Sequence, residues 1–336
     1  MKTVQTKSIM IQNLCVPCFN RCRYCLLSWD GKEVGAEWRR SIDLAERYIN
    51  ELKEKRPDVN VSFFFGYSMD HPELKTAIQT LRRLGSPMAE FLQCGGMAMR
   101  DKKQCKELMH LLREEGIKSL NFTVYGLRFY HDRFAGRDGD FDLLLRMMRA
   151  AYETGISFGT GIPITKENII NIDELVSVLK KAGNEKITLF IPHGEGRGKS
   201  MDKIRITQKD LSVLSSESLS LLNRDLYRTE SEWLKKSNSI QDASRSIIIS
   251  LRADNIEDYE KREALSVVEE IEELDEAYYS AFPTFSELAK EYGDYGGTSL
   301  YRIRDLYYHY RSRFATDHQL VIYDVTDERQ SGSRRY

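Results

Sequence analysis

From residue 8 to residue 192, short apolar runs alternate with amphipathic stretches, each pair having the length of a strand followed by a helix. The runs fall at 9–11, 59–65, 89–93, 120–125, 157–164 and 187–191, and the amphipathic stretches at 41–55, 72–84, 102–115, 141–153 and 172–181. Within 41–55, Ile42, Ala45, Ile49 and Leu52 share one helical face. Gly116, Gly155 and Gly183 stand where three of the helices should end. Parallel neighbours need a crossover, and a helix supplies it, so this order predicts an α/β fold around a parallel sheet. Periodicity alone leaves open whether the six units form a partial barrel or an open, doubly wound sheet. In both, ligands gather at the carboxyl ends of the strands.

After residue 194 the pattern changes. Gly194, Gly196 and Gly198 punctuate a polar loop with Arg197 and Lys199 that lacks the full phosphate-loop pattern. Helices are expected at 207–222 and 263–277, with one more strand at 247–251. The tyrosines at 278, 279, 292, 295, 301, 307, 308 and 310 read as aromatic packing of a helical layer, with a substrate-stacking surface as the alternative. The expected division is a core at 1–200, a mostly helical C-terminal extension covering it at 201–327, and a flexible tail at 328–336.

Lys and Arg total 50 against 51 Asp and Glu, which argues against dedicated nucleic-acid binding. No apolar run is long enough to cross a bilayer, and residues 1–13 carry no export signal pattern. A cytoplasmic, reducing location is therefore expected, where clustered cysteines act as ligands or catalysts rather than in disulfides.

Four of the six cysteines, Cys15, Cys18, Cys22 and Cys25, fall within eleven residues, directly after the first predicted strand. Such density suits zinc or an iron–sulfur cluster. Structural zinc sites use two cysteine pairs well apart, and here the pairs are separated by only three residues. The alternative uses Cys18, Cys22 and Cys25 alone. Three thiolates on a cubane leave one iron open to a small molecule. Cys15 is then a semi-buried residue at a strand end, with a reserve ligand as its other reading. Cys94 and Cys105 are expected to be buried, although Cys94, beside Gly95 and Gly96, has a second reading as a cavity residue.

The text Cys18-Phe19-Asn20-Arg21-Cys22-Arg23-Tyr24-Cys25 resembles the radical S-adenosylmethionine (SAM) superfamily, down to the aromatic Tyr24 before the last cysteine. The likeness extends over about residues 8–200. It implies a partial (β/α)6 TIM-like barrel with Cys18, Cys22 and Cys25 as ligands of a [4Fe-4S] cluster and S-adenosyl-L-methionine as the second cofactor. No cysteine follows Cys105, so no auxiliary-cluster extension of the family's cysteine-rich kind is expected.

By the same resemblance, the segment Phe65-Gly66-Tyr67-Ser68-Met69-Asp70 should receive the cofactor's amino group. The family's usual Gly-Gly-Glu is absent there, which leaves backbone near Gly66, the Ser68 hydroxyl or Asp70 as partners; Asp70 is equally a turn or N-cap residue. Thr123 should meet the ribose or carboxylate, and the segment through Pro192 the adenine. His193 reads either as a base or as a turn residue, and His131 as part of a structural loop. The chemistry implied is reductive cleavage of the cofactor to a 5′-deoxyadenosyl radical that abstracts hydrogen. An external low-potential electron donor and a peptide substrate are the implied partners. A non-catalytic zinc or iron–sulfur interaction protein is the alternative from another class.

Overall fold

The computed structural model describes residues 4–13, 18–25, 35–66, 68–194, 196–236, 245–321 and 332–334. Cys15 and Tyr67 lie outside them, as does the side chain of Ser68.

The chain runs β1 (Thr6–Asn13), α1 (Trp38–Lys55), β2 (Asn60–Phe65), α2 (Leu74–Arg83), β3 (Phe91–Cys94), α3 (Lys102–Glu114) and β4 (Ser119–Thr123), then α4 (Arg128–Ala135), α5 (Asp140–Thr154), β5 (Ser157–Pro163), α6 (Ile172–Lys181) and β6 (Lys186–Phe190). The strands form a partial barrel of two half-sheets. In one, β3, β4, β5 and β6 are parallel in sequence order, with Leu92 opposite Leu120 and Phe122 opposite Thr160. In the other, β1 pairs in parallel with β2, Ile9 facing Val61. Each half-sheet has its own core. Phe122, Ile162, Met147 and Leu179 are sealed in the core of the β3–β6 half-sheet, and Ile9, Ile11, Phe63 and Ile249 in that of the half-sheet containing β1 and β2.

The remainder adds the short pair β7 (Arg228–Thr229) and β9 (Leu300–Tyr301), the strand β8 (Arg245–Leu251), and helices α7 (Ser216–Ser220), α8 (Glu230–Lys235), α9 (Ile256–Glu260), α10 (Ala264–Ser280), α11 (Phe285–Tyr292) and α12 (Ile303–Asp317). β8 lies parallel to β1 on the side away from β2, with Ile247 opposite Ile9. The expected set of six parallel strands therefore becomes seven, and the seventh comes from the stretch read as a covering extension. Gly332–Arg334, in the stretch read as a flexible tail, pairs antiparallel with β8. Tyr292, Tyr307 and Tyr310 pack with Phe285 and Leu306 in a small core between α11 and α12, whereas Tyr295 is exposed.

Two segments depart from the periodicity reading. The helix expected at 207–222 is a 3-10 turn (Lys209–Val213) followed by the short α7. Its serines bond to local backbone instead: Ser212 Oγ donates to the Lys209 carbonyl, and Ser215 Oγ accepts from Ser218 N–H. Such bonds compete with helical continuation. Conversely, the loop expected around His131 contains α4, which ends on Gly136 at φ +67°. A left-handed glycine is a favoured helix stop.

Arg245 ties β8 to α10. It is 2% exposed and pairs with Asp275 at 2.5 Å and with Glu276. Arg245→Ala removes the buried guanidinium that pairs with the Asp275 carboxylate. The expected cost is about 3–5 kcal/mol, read as a lower midpoint in urea denaturation. Among the described residues, no helix is long and apolar enough to cross a membrane.

Candidate functional site

Cys18, Cys22 and Cys25 line one cavity of about 310 Å³, within the range of small-molecule sites. Its other walls come largely from the carboxyl ends of the first four strands: Gln12 of β1, Phe64 of β2 and Gly66 just after it, Gln93 to Gly96 at β3, and Thr123 and Tyr125 at β4. Asp140 and Leu144 of α5 close one side.

The cysteine loop is placed by backbone bonds to three separate parts of the fold. Phe19 N–H donates to the Gly96 carbonyl at 2.9 Å. Arg21 and Arg23 N–H donate to the Ala135 and Phe134 carbonyls at 2.7 and 3.1 Å. These are last-turn carbonyls of α4, which have no partner within their own helix. Arg197 N–H donates to the Cys25 carbonyl at 3.1 Å. Gly96, at φ +63°, lies directly under Cys18; a Cβ there would sit 2.0 Å from Cys18 Sγ.

A buried polar network braces the loop from behind. Asp140, 1% exposed, accepts from Asn20 Nδ2 at 3.0 Å and lies 3.1 Å from His131 Nε2. His131 Nδ1 accepts from Tyr125 N–H at 3.0 Å, so its proton sits on Nε2 and is donated to Asp140. Tyr125 Oη in turn donates to Cys22 Sγ at 3.0 Å. Sequence reasoning missed this network. The contact of Tyr125 with the cysteine loop joins segments about a hundred residues apart, so no local pattern records it.

Burial pushes the Cys18 thiol up and the Cys22 thiol up to about 12. Thiols this reluctant to ionise alone need a cationic partner to become thiolates, and iron supplies one. Among the described residues, no three His, Cys, Asp or Glu side chains converge on a single metal ion. All three cysteines belong to the wall of one cavity, and thiols are the donors that an iron–sulfur cluster takes.

Of the other expected site residues, Tyr24, Gly66 and Thr123 line the cavity. Tyr24 packs against Tyr125 and His193, with ring centroids 5.6 and 5.5 Å away. Ser68 opens the 3-10 turn Ser68–Asp70 after β2. Pro192 is buried outside the cavity wall, and its carbonyl accepts from Arg205. Asp70 accepts from Ala98 N–H at 2.8 Å and pairs with Arg100, so it ties the β2 turn to the segment after β3. Cys94 is buried yet reaches the cavity, and Cys105 is buried in the core around β3–β6.

Comparison with known proteins gives a match to the Radical SAM superfamily model over residues 13–192. Fe-coproporphyrin III synthase of Methanosarcina barkeri is 25% identical over 210 residues, 62% of this chain and 49% of that protein. The chain thus spans about half the length of this curated relative. Streptococcus suis SuiB bound to its precursor peptide SuiA superposes at TM-score 0.46, with 12% identity over 70% of this chain and 47% of that one. Escherichia coli coproporphyrinogen III oxidase (HemN) gives 0.42, with 13% identity over 75% of this chain and 66% of that one.

Proposed function

The chain belongs to the radical SAM superfamily, and on that premise we propose that it cleaves S-adenosylmethionine reductively at a cluster held by Cys18, Cys22 and Cys25. The observation that carries this reading is the gathering of those three thiols around one cavity at the strand carboxyl ends. The family's cofactors are a [4Fe-4S] cluster and S-adenosylmethionine. When bound, they supply an electron and a 5′-deoxyadenosyl radical able to take a hydrogen atom from a substrate.

The protein's own part is to hold, orient and exclude water. The loop bonds to Gly96, to α4 and to Arg197 fix the spacing of the three sulfurs before any metal arrives. Gly66 offers backbone without a side chain at the end of β2, which permits close approach of the amino-acid end of the cofactor. Thr123 sits on the cavity wall for the ribose or carboxylate. Asp70 is committed to Ala98 and Arg100, so the amino-group partner falls to the backbone around Gly66 and to Ser68. Pro192, outside the wall, would reach adenine only in the part of the site beyond this cavity.

Electrons come from an external low-potential donor, and the clustered thiols suit the reducing cytoplasm. For the substrate we propose a peptide, because the text of the core resembles the peptide-modifying branches more than others. A second reading, a tetrapyrrole precursor of Fe-coproporphyrin III, is favoured by the sequence likeness to the Methanosarcina synthase.

Anaerobic protein, reconstituted with iron and sulfide and reduced with dithionite, is expected to release 5′-deoxyadenosine and methionine slowly without substrate. Release of S-adenosylhomocysteine alone would indicate methyl transfer instead. Adding a candidate peptide or an iron tetrapyrrole precursor of Fe-coproporphyrin III should raise the 5′-deoxyadenosine rate only for the class that is turned over.

A further inference from the structure

We propose that the Tyr125 hydroxyl, hydrogen-bonded to Cys22 Sγ, sets the reduction potential of the cluster, a role that rests on Cys22 being a cluster ligand. The bond measures 3.0 Å from oxygen to sulfur, and both residues belong to the cavity wall.

The phenol is aimed at the sulfur by its surroundings. Tyr125 is 6% exposed. Its N–H is held by His131 Nδ1 at 3.0 Å, and its carbonyl accepts from Asn168 Nδ2 at 2.8 Å. Its ring stacks on His131 at 5.1 Å, lies 4.5 Å from Phe134, and meets Tyr24 edge-on at 5.6 Å. Backbone and ring are thus both pinned, which holds the phenol oxygen beside the sulfur, with the Tyr24 hydroxyl as its other side-chain neighbour.

Donor and acceptor also share one anchor. Asp140 holds His131, which supports Tyr125, and it holds Asn20, which lies between Cys18 and Cys22 in the ligand loop. A shift of the loop relative to Tyr125 would break hydrogen bonds to a carboxylate that is 1% exposed. This network fixes the donor–sulfur distance and makes Asp140 and His131 positioning residues for it.

The chemical consequence follows from charge. Reduction of the cluster places additional negative charge on its sulfurs, and a hydrogen-bond donor stabilises the reduced state more than the oxidised one. Hydrogen bonds to ligand sulfurs are among the factors that set iron–sulfur potentials. In a buried site the effect is screened less than at a wet surface. Tyr125 therefore makes the cluster easier to reduce, and it does so without touching substrate.

The test uses anaerobically reconstituted protein without S-adenosylmethionine, assayed for iron and sulfide and then titrated potentiometrically. The reduced cluster is followed by electron paramagnetic resonance. Tyr125→Phe keeps the packed ring and removes only the oxygen. The variant should load a full cluster, and its equilibrium constant for one-electron reduction should fall about tenfold, a downward shift of about 59 mV. Incorporation of 3-fluorotyrosine at position 125, a stronger donor, should shift the potential upward. An unchanged potential in both fully loaded variants overturns the proposal. So does failure of Tyr125→Phe to load a cluster while the fluorinated protein loads one at the parent potential, since the hydroxyl would then serve assembly alone. A separate Cys22→Ala protein that keeps all its iron would overturn the ligand assignment itself, a different failure from an unmoved potential.

Discussion

Replacing Cys18, Cys22 or Cys25 by alanine is expected to remove the cluster outright, with iron and sulfide falling from about four per chain to near zero and the visible absorption lost. Each cysteine supplies one of only three protein thiolates, so a single loss leaves two irons without a protein ligand. The fold should survive, because all three cysteines are only half-buried and none belongs to the barrel cores. Far-ultraviolet circular dichroism close to the parent's would show that the loss is local. Cys15→Ala should keep its iron. Parent-like iron in any of the three variants, or loss of iron in Cys15→Ala, would require a different ligand set.

The second large effect is expected at Gly96. Two terms act together there. At φ +63° an alanine carries the left-handed backbone penalty, about 1–2 kcal/mol. Its Cβ would also meet Cys18 Sγ at 2.0 Å, far inside contact distance. The clash falls on a proposed ligand atom, and the neighbouring backbone bond from Phe19 to Gly96 leaves that segment little room to retreat. Gly96→Ala is therefore expected to cut the iron retained after desalting by tenfold or more. Gly85→Ala is the control. At φ +69° it carries the same backbone penalty, but nothing lies within 4 Å of a Cβ there and it is outside the cavity wall, so cluster loading should match the parent. Equal loading in the two alanine proteins would mean that Gly96 does not govern where Cys18 stands.

The strands and helices that build the barrel wall were readable because burial is periodic. Ile9 and Ile11 in β1, and Ile42, Ala45, Ile49 and Leu52 in α1, repeat at the spacing that burial on one face requires. α4 escaped that reading. It is short, and it earns its place through its C-terminal carbonyls, which receive Arg21 and Arg23 of a loop more than a hundred residues earlier. No pattern within 128–135 announces such a bond.

Cys18, Cys22 and Cys25 were legible for a different reason. The three proposed ligands lie on one short loop, so their nearness to one another is written in local spacing. The seventh strand shows the limit of that kind of reading. Residues 247–251 read as a strand, but its neighbour depends on a parallel ladder between segments some 240 residues apart. The sequence by itself determined the alternating elements, their order along the chain and the closeness of the three sulfurs, since each depends on spacings within a few residues. Tertiary structure alone decided that β8 closes against β1, that Gly96 lies beneath Cys18, that Asp140 braces Asn20 and His131, and that Tyr125 donates to Cys22. Each of these is a contact between distant segments. Its energy is gained only when the whole chain is packed, so no local pattern is obliged to record it.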